Sequence, residues 1–124
     1  YLNRQNLLGR HKIPRNKLIK ECHEFIESHE PKDQTVSNMA HYLDVSERTL
    51  LSSFKEYYGV GPKYYLNLRQ QYRVHHALRA EDTQEKNVTE ILVENGVWEL
   101  GRFATKYKAL FGEYPRETLK FKKM

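Results

Sequence analysis

One cysteine in 124 residues, Cys22, leaves no second thiol for an internal disulfide. A cysteine-based zinc site is excluded by the same scarcity, because such sites need several thiolates at defined spacing. This usage suits a reducing cytoplasm, where the chain is expected to act. No run approaches the ~18 apolar residues of a bilayer-crossing helix, and no signal peptide is visible, so no membrane association is expected. No segment shows the alternation of a half-buried strand. His75 and His76 are adjacent and point different ways on a helix, while His11, His23, His29 and His41 lack ligand spacing. There is neither a nucleophile motif nor a phosphate loop. Catalytic residues, metal ligands and cofactors are therefore expected to be none.

What the chain does have is basic charge, unevenly placed. The formal net charge is +5. From Gly96 onward stand Arg102, Lys106, Lys108, Arg116, Lys120, Lys122 and Lys123 against Glu99, Glu113 and Glu117, whereas residues 81–94 hold five acids and one lysine. A basic end beside an acidic hinge suits a polyanionic partner.

It also has an internal repeat. Residues 36–66 and 88–119 follow one pattern. Val36, Met39 and Val45 correspond to Val88, Ile91 and Val97 at an offset of 52. Phe54, Lys55, Gly59, Pro62 and Leu66 correspond to Tyr107, Lys108, Gly112, Pro115 and Leu119 at an offset of 53. The slip falls near Trp98–Glu99, where a turn absorbs it. Each copy reads as helix, short turn, helix and a Gly-x-x-Pro stop, the outline of a helix-turn-helix.

Residues 1–14 show no helical stripe, but beyond them the apolar periodicity is helical throughout. Leu18, Ile19, Cys22, Phe25, Ile26 and His29 form one helical stripe, which places Cys22 in a core rather than at a reactive site. Thr35 and Ser46 are predicted N-caps, Asp44 a left-handed turn residue, and Asn87 with Glu90 a capping box. Leu50 and Phe54, with Tyr57 or Tyr58, are predicted inward on the second helix of the first copy. Phe103, Tyr107, Leu110 and Phe111 are predicted inward on that of the second. The helix from Pro62 to about Ala80 is expected to bury Tyr65, Leu68, Tyr72 and Leu78, with Lys63, Arg69, Arg73 and Arg79 outward.

The expected organisation is thus all-α. Residues 1–14 are a linker or residual tag, and 15–60 a first helix-turn-helix lobe. Residues 61–80 are a linking helix, 81–87 a hinge, and 88–124 a second lobe. Since Tyr1 is not an initiator residue, the chain reads as part of something longer.

The second helix of a helix-turn-helix enters the DNA major groove, and its outward side chains meet base edges. In the first copy Arg48, Leu51 and Ser52 are placed to read bases. In the second the corresponding set is Leu100, Arg102, Thr105 and Lys106. Arginine suits guanine, hydroxyls are versatile, and leucine suits the thymine methyl. Ser46, Lys55, Lys63, Arg69, Lys108 and Arg116 are placed for phosphates. The 19 residues from Pro62 to Ala80 in the linking helix span roughly 28 Å, close to the roughly 34 Å between successive major-groove faces. One chain could then occupy an asymmetric site as a monomer.

Two segments carry a family resemblance: LDVSERTLLSSFKEYYGVGPKYYLNLR in the first lobe and GVWELGRFATKYKALFGEYP in the second. The chain resembles, over roughly residues 15–120, the C-terminal DNA-binding domain of the AraC/XylS family of bacterial transcription regulators. The resemblance implies about seven helices and double-stranded promoter DNA as partner. It also implies activation through contacts with RNA polymerase, and a separate N-terminal domain for effector sensing or dimerisation. Asp44 departs from the glycine common in the first turn, and Thr118-Leu119 replaces a Tyr-Arg pair.

Overall fold

The computed structural model describes residues 15–80 and 85–121. The linker or tag expected at 1–14, the hinge residues 81–84, and Lys122 and Lys123 lie outside the described residues. The described chain forms seven α-helices and no strand: α1 (Arg15–Ser28), α2 (Val36–Leu43), α3 (Glu47–Tyr58), α4 (Pro62–Ala80), α5 (Val88–Glu94), α6 (Leu100–Phe111) and α7 (Pro115–Phe121). A single 3-10 turn at Pro31–Asp33, which the periodicity did not indicate, joins α1 to α2.

The helix boundaries follow from local chemistry. Thr35 Oγ1 accepts the Asn38 N–H at 3.1 Å to start α2, and Ser46 Oγ accepts the Thr49 N–H at 3.0 Å to start α3. Each such cap satisfies a donor that the first helical turn leaves unpaired. The capping box at α5 is reciprocal. Glu90 N–H donates to Asn87 Oδ1 at 2.8 Å, and Asn87 N–H donates to Glu90 Oε1 at 2.9 Å. Gly59 and Gly112 end α3 and α6 with φ of 82° and 81°, values that glycine reaches without a Cβ clash.

The two turns close alike. Val45 N–H reaches back to Ala40 C=O, and Val97 N–H to Leu92 C=O, both at 3.0 Å. The left-handed residue is Asp44 in the first turn (φ 59°) and Gly96 in the second (φ 80°).

The chain divides into two compact units, residues 1–67 and 68–124, so the boundary falls inside α4. In the first unit α1, α2 and α3 close around Phe25, Met39, Leu50 and Phe54, with Leu18, Ile19, Cys22, Ile26, Ala40, Leu43 and Leu66 completing the core. Cys22 is buried, and that burial, with Glu21 nearby, pushes its thiol up to about 12, the behaviour of an inert packing residue. In the second unit Val74, Leu78, Ile91, Leu92, Val97, Phe103 and Tyr107 form the core.

The expected inward and outward faces need correction at three places. On α4 the buried apolar residues are Leu66, Val74 and Leu78, while Tyr65 and Leu68 are half-buried and Tyr72 is exposed. A single stripe fails because this helix supplies first one core and then the other. Arg73, expected outward, is half-buried. On α3, where either Tyr57 or Tyr58 was expected inward, it is Tyr58 that turns in, its ring stacked on Tyr65 at 4.5 Å. On α6 Leu110, expected inward, is exposed, whereas Phe111 packs as expected, stacked on His75 with ring centroids 4.1 Å apart.

Candidate nucleic-acid interface

Burial of Leu50, Ser53 and Phe54 turns one face of α3 inward and leaves Arg48, Leu51, Ser52 and Lys55 exposed on the other. Leu51 is not a freely standing side chain. Its Cδ1 lies so close to Gly61 that a Cβ there would sit 3.2 Å away, so glycine lets this leucine rest on the α3–α4 connection. Ser46 is exposed, but its hydroxyl is engaged at both ends, accepting the Thr49 N–H and donating to Thr49 Oγ1 at 3.0 Å. What these bonds show is a helix cap. Lys63, at the start of α4, and Arg69, further along it, are both exposed.

In the second unit Phe103 and Tyr107 turn inward, leaving Leu100, Arg102, Thr105 and Lys106 exposed along α6. Arg102 Nη1 lies 2.9 Å from Glu99 Oε1, one helical turn back. Both side chains are largely solvated, so this pair is worth roughly 0–1 kcal/mol and yields easily to a stronger anion. Thr105 Oγ1 donates to the Gly101 carbonyl at 3.2 Å. Leu100 lines an open apolar groove of about 350 Å³ with Gly101, Ala104, Tyr114, Pro115 and Arg116, so an expected base contact and an expected phosphate contact share one rim. Lys108 and Arg116, both exposed, flank the ring of Tyr114 at 4.9 Å and 5.1 Å from its centroid. Each cation–π contact is worth about 0.5–1 kcal/mol at the surface and holds a long basic side chain in place.

Three features escaped the sequence reading. Arg73 donates from Nε to Asn95 Oδ1 and from Nη2 to the Asn95 carbonyl, both at 3.0 Å, and Gln70 Nε2 donates to the same carbonyl at 3.1 Å. Burial, with the like charge of Arg69, lowers the Arg73 pKa from its ordinary value. This arginine holds the second turn and is not a surface cation.

Behind α6 runs a polar line. His75 Nδ1 pairs with the Tyr107 hydroxyl at 2.8 Å, that hydroxyl pairs with Thr118 Oγ1 at 2.8 Å, and Thr118 donates to Glu113. The replacement of Tyr-Arg by Thr118-Leu119 therefore serves the interior, since Thr118 is buried. The third feature is Trp98, in the turn before α6, with 84% of its surface exposed. A lone aromatic outside any helical stripe carries no periodic signal; its being the sole tryptophan was the cue available. Among the described residues no group of three or more His, Cys, Asp or Glu is placed to hold a metal, and no helix is long and apolar enough to cross a membrane.

A family model described as a helix-turn-helix domain matches residues 39–120. The XylDLEGF operon transcriptional activator 2 of Pseudomonas putida is 33% identical over 101 residues, covering 82% of this chain and 64% of that protein. A second activator from the same organism, XylDLEGF operon transcriptional activator 1, is 31% identical over 101 residues, which are 82% of this chain but 30% of its own length. The chain thus spans just under two thirds of the first of these relatives and about a third of the second. The crystal structure of a probable AraC family transcriptional regulator from Rhodopseudomonas palustris superposes with a TM-score of 0.72 at 25% identity, covering 84% of this chain and 95% of that one.

Proposed function

The chain belongs to the AraC-type helix-turn-helix family of transcription regulators, and from that premise we propose how it engages its promoter. In this reading α3 and α6 each enter a major groove of double-stranded DNA. Arg48, Leu51 and Ser52 read bases from α3, while Leu100, Arg102, Thr105 and Lys106 read them from α6. Lys55, Lys63, Arg69, Lys108 and Arg116 meet phosphates, and Ser46 supports the start of α3. The observation that carries the proposal is the shared design of the two units. In each, a second helix that ends on a left-handed glycine buries aromatic side chains, Phe54 in one and Phe103 and Tyr107 in the other, and turns a polar and basic face to solvent.

The two outward faces differ in sequence, so the site is asymmetric and one chain fills it. Its length is roughly 20 bp, two successive major-groove faces. The protein then acts in the cytoplasm as an activator, the role named for its Pseudomonas putida relatives, through contact with RNA polymerase. Effector sensing and dimerisation belong to a further domain of the whole protein.

Selection of bound sequences from a random duplex pool tests this, followed by fluorescence anisotropy of the selected site across a salt series. One chain should bind one asymmetric duplex, and affinity should fall with a log–log slope of about −0.9 per neutralised phosphate. A slope near zero, or enrichment of no sequence, would refute the proposal.

A further inference from the structure

We propose that Trp98 is a DNA-contacting residue that extends base readout ahead of α6 by laying its indole on a thymine methyl; this rests on the reading of α6 as a groove helix. Trp98 is the most exposed large hydrophobic among the described residues, at 84%. Leaving an indole in water is unfavourable, and tryptophan is enriched at interfaces because it joins a large apolar body to one polar handle.

Its backbone is held on both sides. Val97, the preceding residue, is buried and its N–H is bonded to Leu92 C=O at 3.0 Å. Glu99, the following residue, accepts the Phe103 N–H at 2.9 Å. The side chain therefore projects from an ordered turn two residues before the first residue of α6. In a helix-turn-helix it is this N-terminal end of the second helix that reaches base edges.

The surroundings favour DNA over a protein partner. Arg102, Lys106, Lys108 and Arg116 lie on the same unit and are exposed, and the neighbouring acid Glu99 is paired with Arg102 at 2.9 Å. An indole offers one donor and no acceptor, so it cannot make the paired hydrogen bonds that identify guanine or adenine. Its apolar ring matches the C5-methyl that thymine displays in the major groove.

Trp98 is the single tryptophan, so its emission reports on its own environment. Titrating the 124-residue chain with a selected duplex should quench that emission and shift it to shorter wavelength, while anisotropy of labelled duplex follows binding independently. Trp98→Ala should weaken binding roughly tenfold, with unchanged melting temperature and unchanged salt slope, because no charge is lost. Trp98→Phe, which keeps an apolar ring, should recover part of the loss. Replacing thymine by deoxyuracil at one position should cost the parent a similar factor and cost Trp98→Ala nothing further. Tight binding by anisotropy with unchanged emission, or with Trp98→Ala equal to the parent, overturns this inference and leaves the DNA-binding proposal standing. Emission that responds to a protein partner but not to DNA also overturns it. Absence of duplex binding by anisotropy removes both.

Discussion

Arg73 and Asn95 are joined by two hydrogen bonds of 3.0 Å, one to the Asn95 side chain and one to its main-chain carbonyl. Asn95 also donates from its amide to Ile91 C=O at 2.8 Å, so one residue ties the end of α5 to α4. Arg73→Ala should cost about 1–3 kcal/mol, because a part-buried carbonyl and amide lose charge-assisted donors and Gln70 alone remains. DNA affinity should fall with it, while Arg73→Lys, which lacks the planar fork, restores little. Denaturant unfolding followed by circular dichroism, with anisotropy on the same variants, measures both.

Tyr107→Phe separates packing from polarity within the second unit. The ring stays, but His75 and Thr118 lose the hydroxyl between them, and a loss of about 1–3 kcal/mol is expected. Phe54→Ala in the first unit removes a whole buried ring and should cost about 3–5 kcal/mol. Thermal melting that ranked the two variants in the opposite order would contradict these core assignments.

Burial, chiefly, with Arg79 and His76 nearby and Glu113 opposing them, holds the His75 pKa below its ordinary 6.5. The folded state therefore binds fewer protons at this site than the unfolded chain. Stability from this group is fully present above that ordinary value and is lost as pH falls below it toward the folded pKa. His75→Gln should flatten the acid side of the melting-temperature profile between pH 7.5 and 5.5 relative to the parent. An equal acid loss in both proteins would assign it to other groups.

Glu99→Gln releases Arg102 from its 2.9 Å partner and removes a negative charge from the start of α6. Stability should change by no more than about 1 kcal/mol. DNA affinity should rise at low salt, with a slope steeper by up to about 0.9 if Arg102 gains a phosphate. Arg102→Ala should instead relax preference at one or two base positions, by about 1–3 kcal/mol if its contact is bidentate. Competition binding with single-base variants of the selected site distinguishes these outcomes.

Asp44→Gly should raise stability by about 1 kcal/mol, since Asp44 sits at φ 59° and glycine carries no Cβ penalty there. Comparison of melting temperatures is sufficient. A fall would mean that the aspartate contributes more than its backbone costs.

The helices, their caps and both turns were legible in the sequence because they depend on neighbours within a few positions. Thr35, Ser46 and the Asn87–Glu90 box satisfy donors three residues away, and Gly59 and Gly112 need only their own freedom at positive φ. The repeat revealed the two units for the same reason, since each copy encodes its own turn and core. Long-range partnership was decided by the tertiary structure alone. Periodicity placed Tyr72 inward and Arg73 outward on one stripe, but α4 supplies two cores in turn. Tyr72 is left exposed, and Arg73 is drawn to Asn95, 22 positions away. The pairing of Tyr107 with His75 and Thr118, the lean of Leu51 toward Gly61, and the flanking of Tyr114 by Lys108 and Arg116 have the same origin. Spacing along a helix states which face a side chain occupies; what meets that face is settled only when the helices pack.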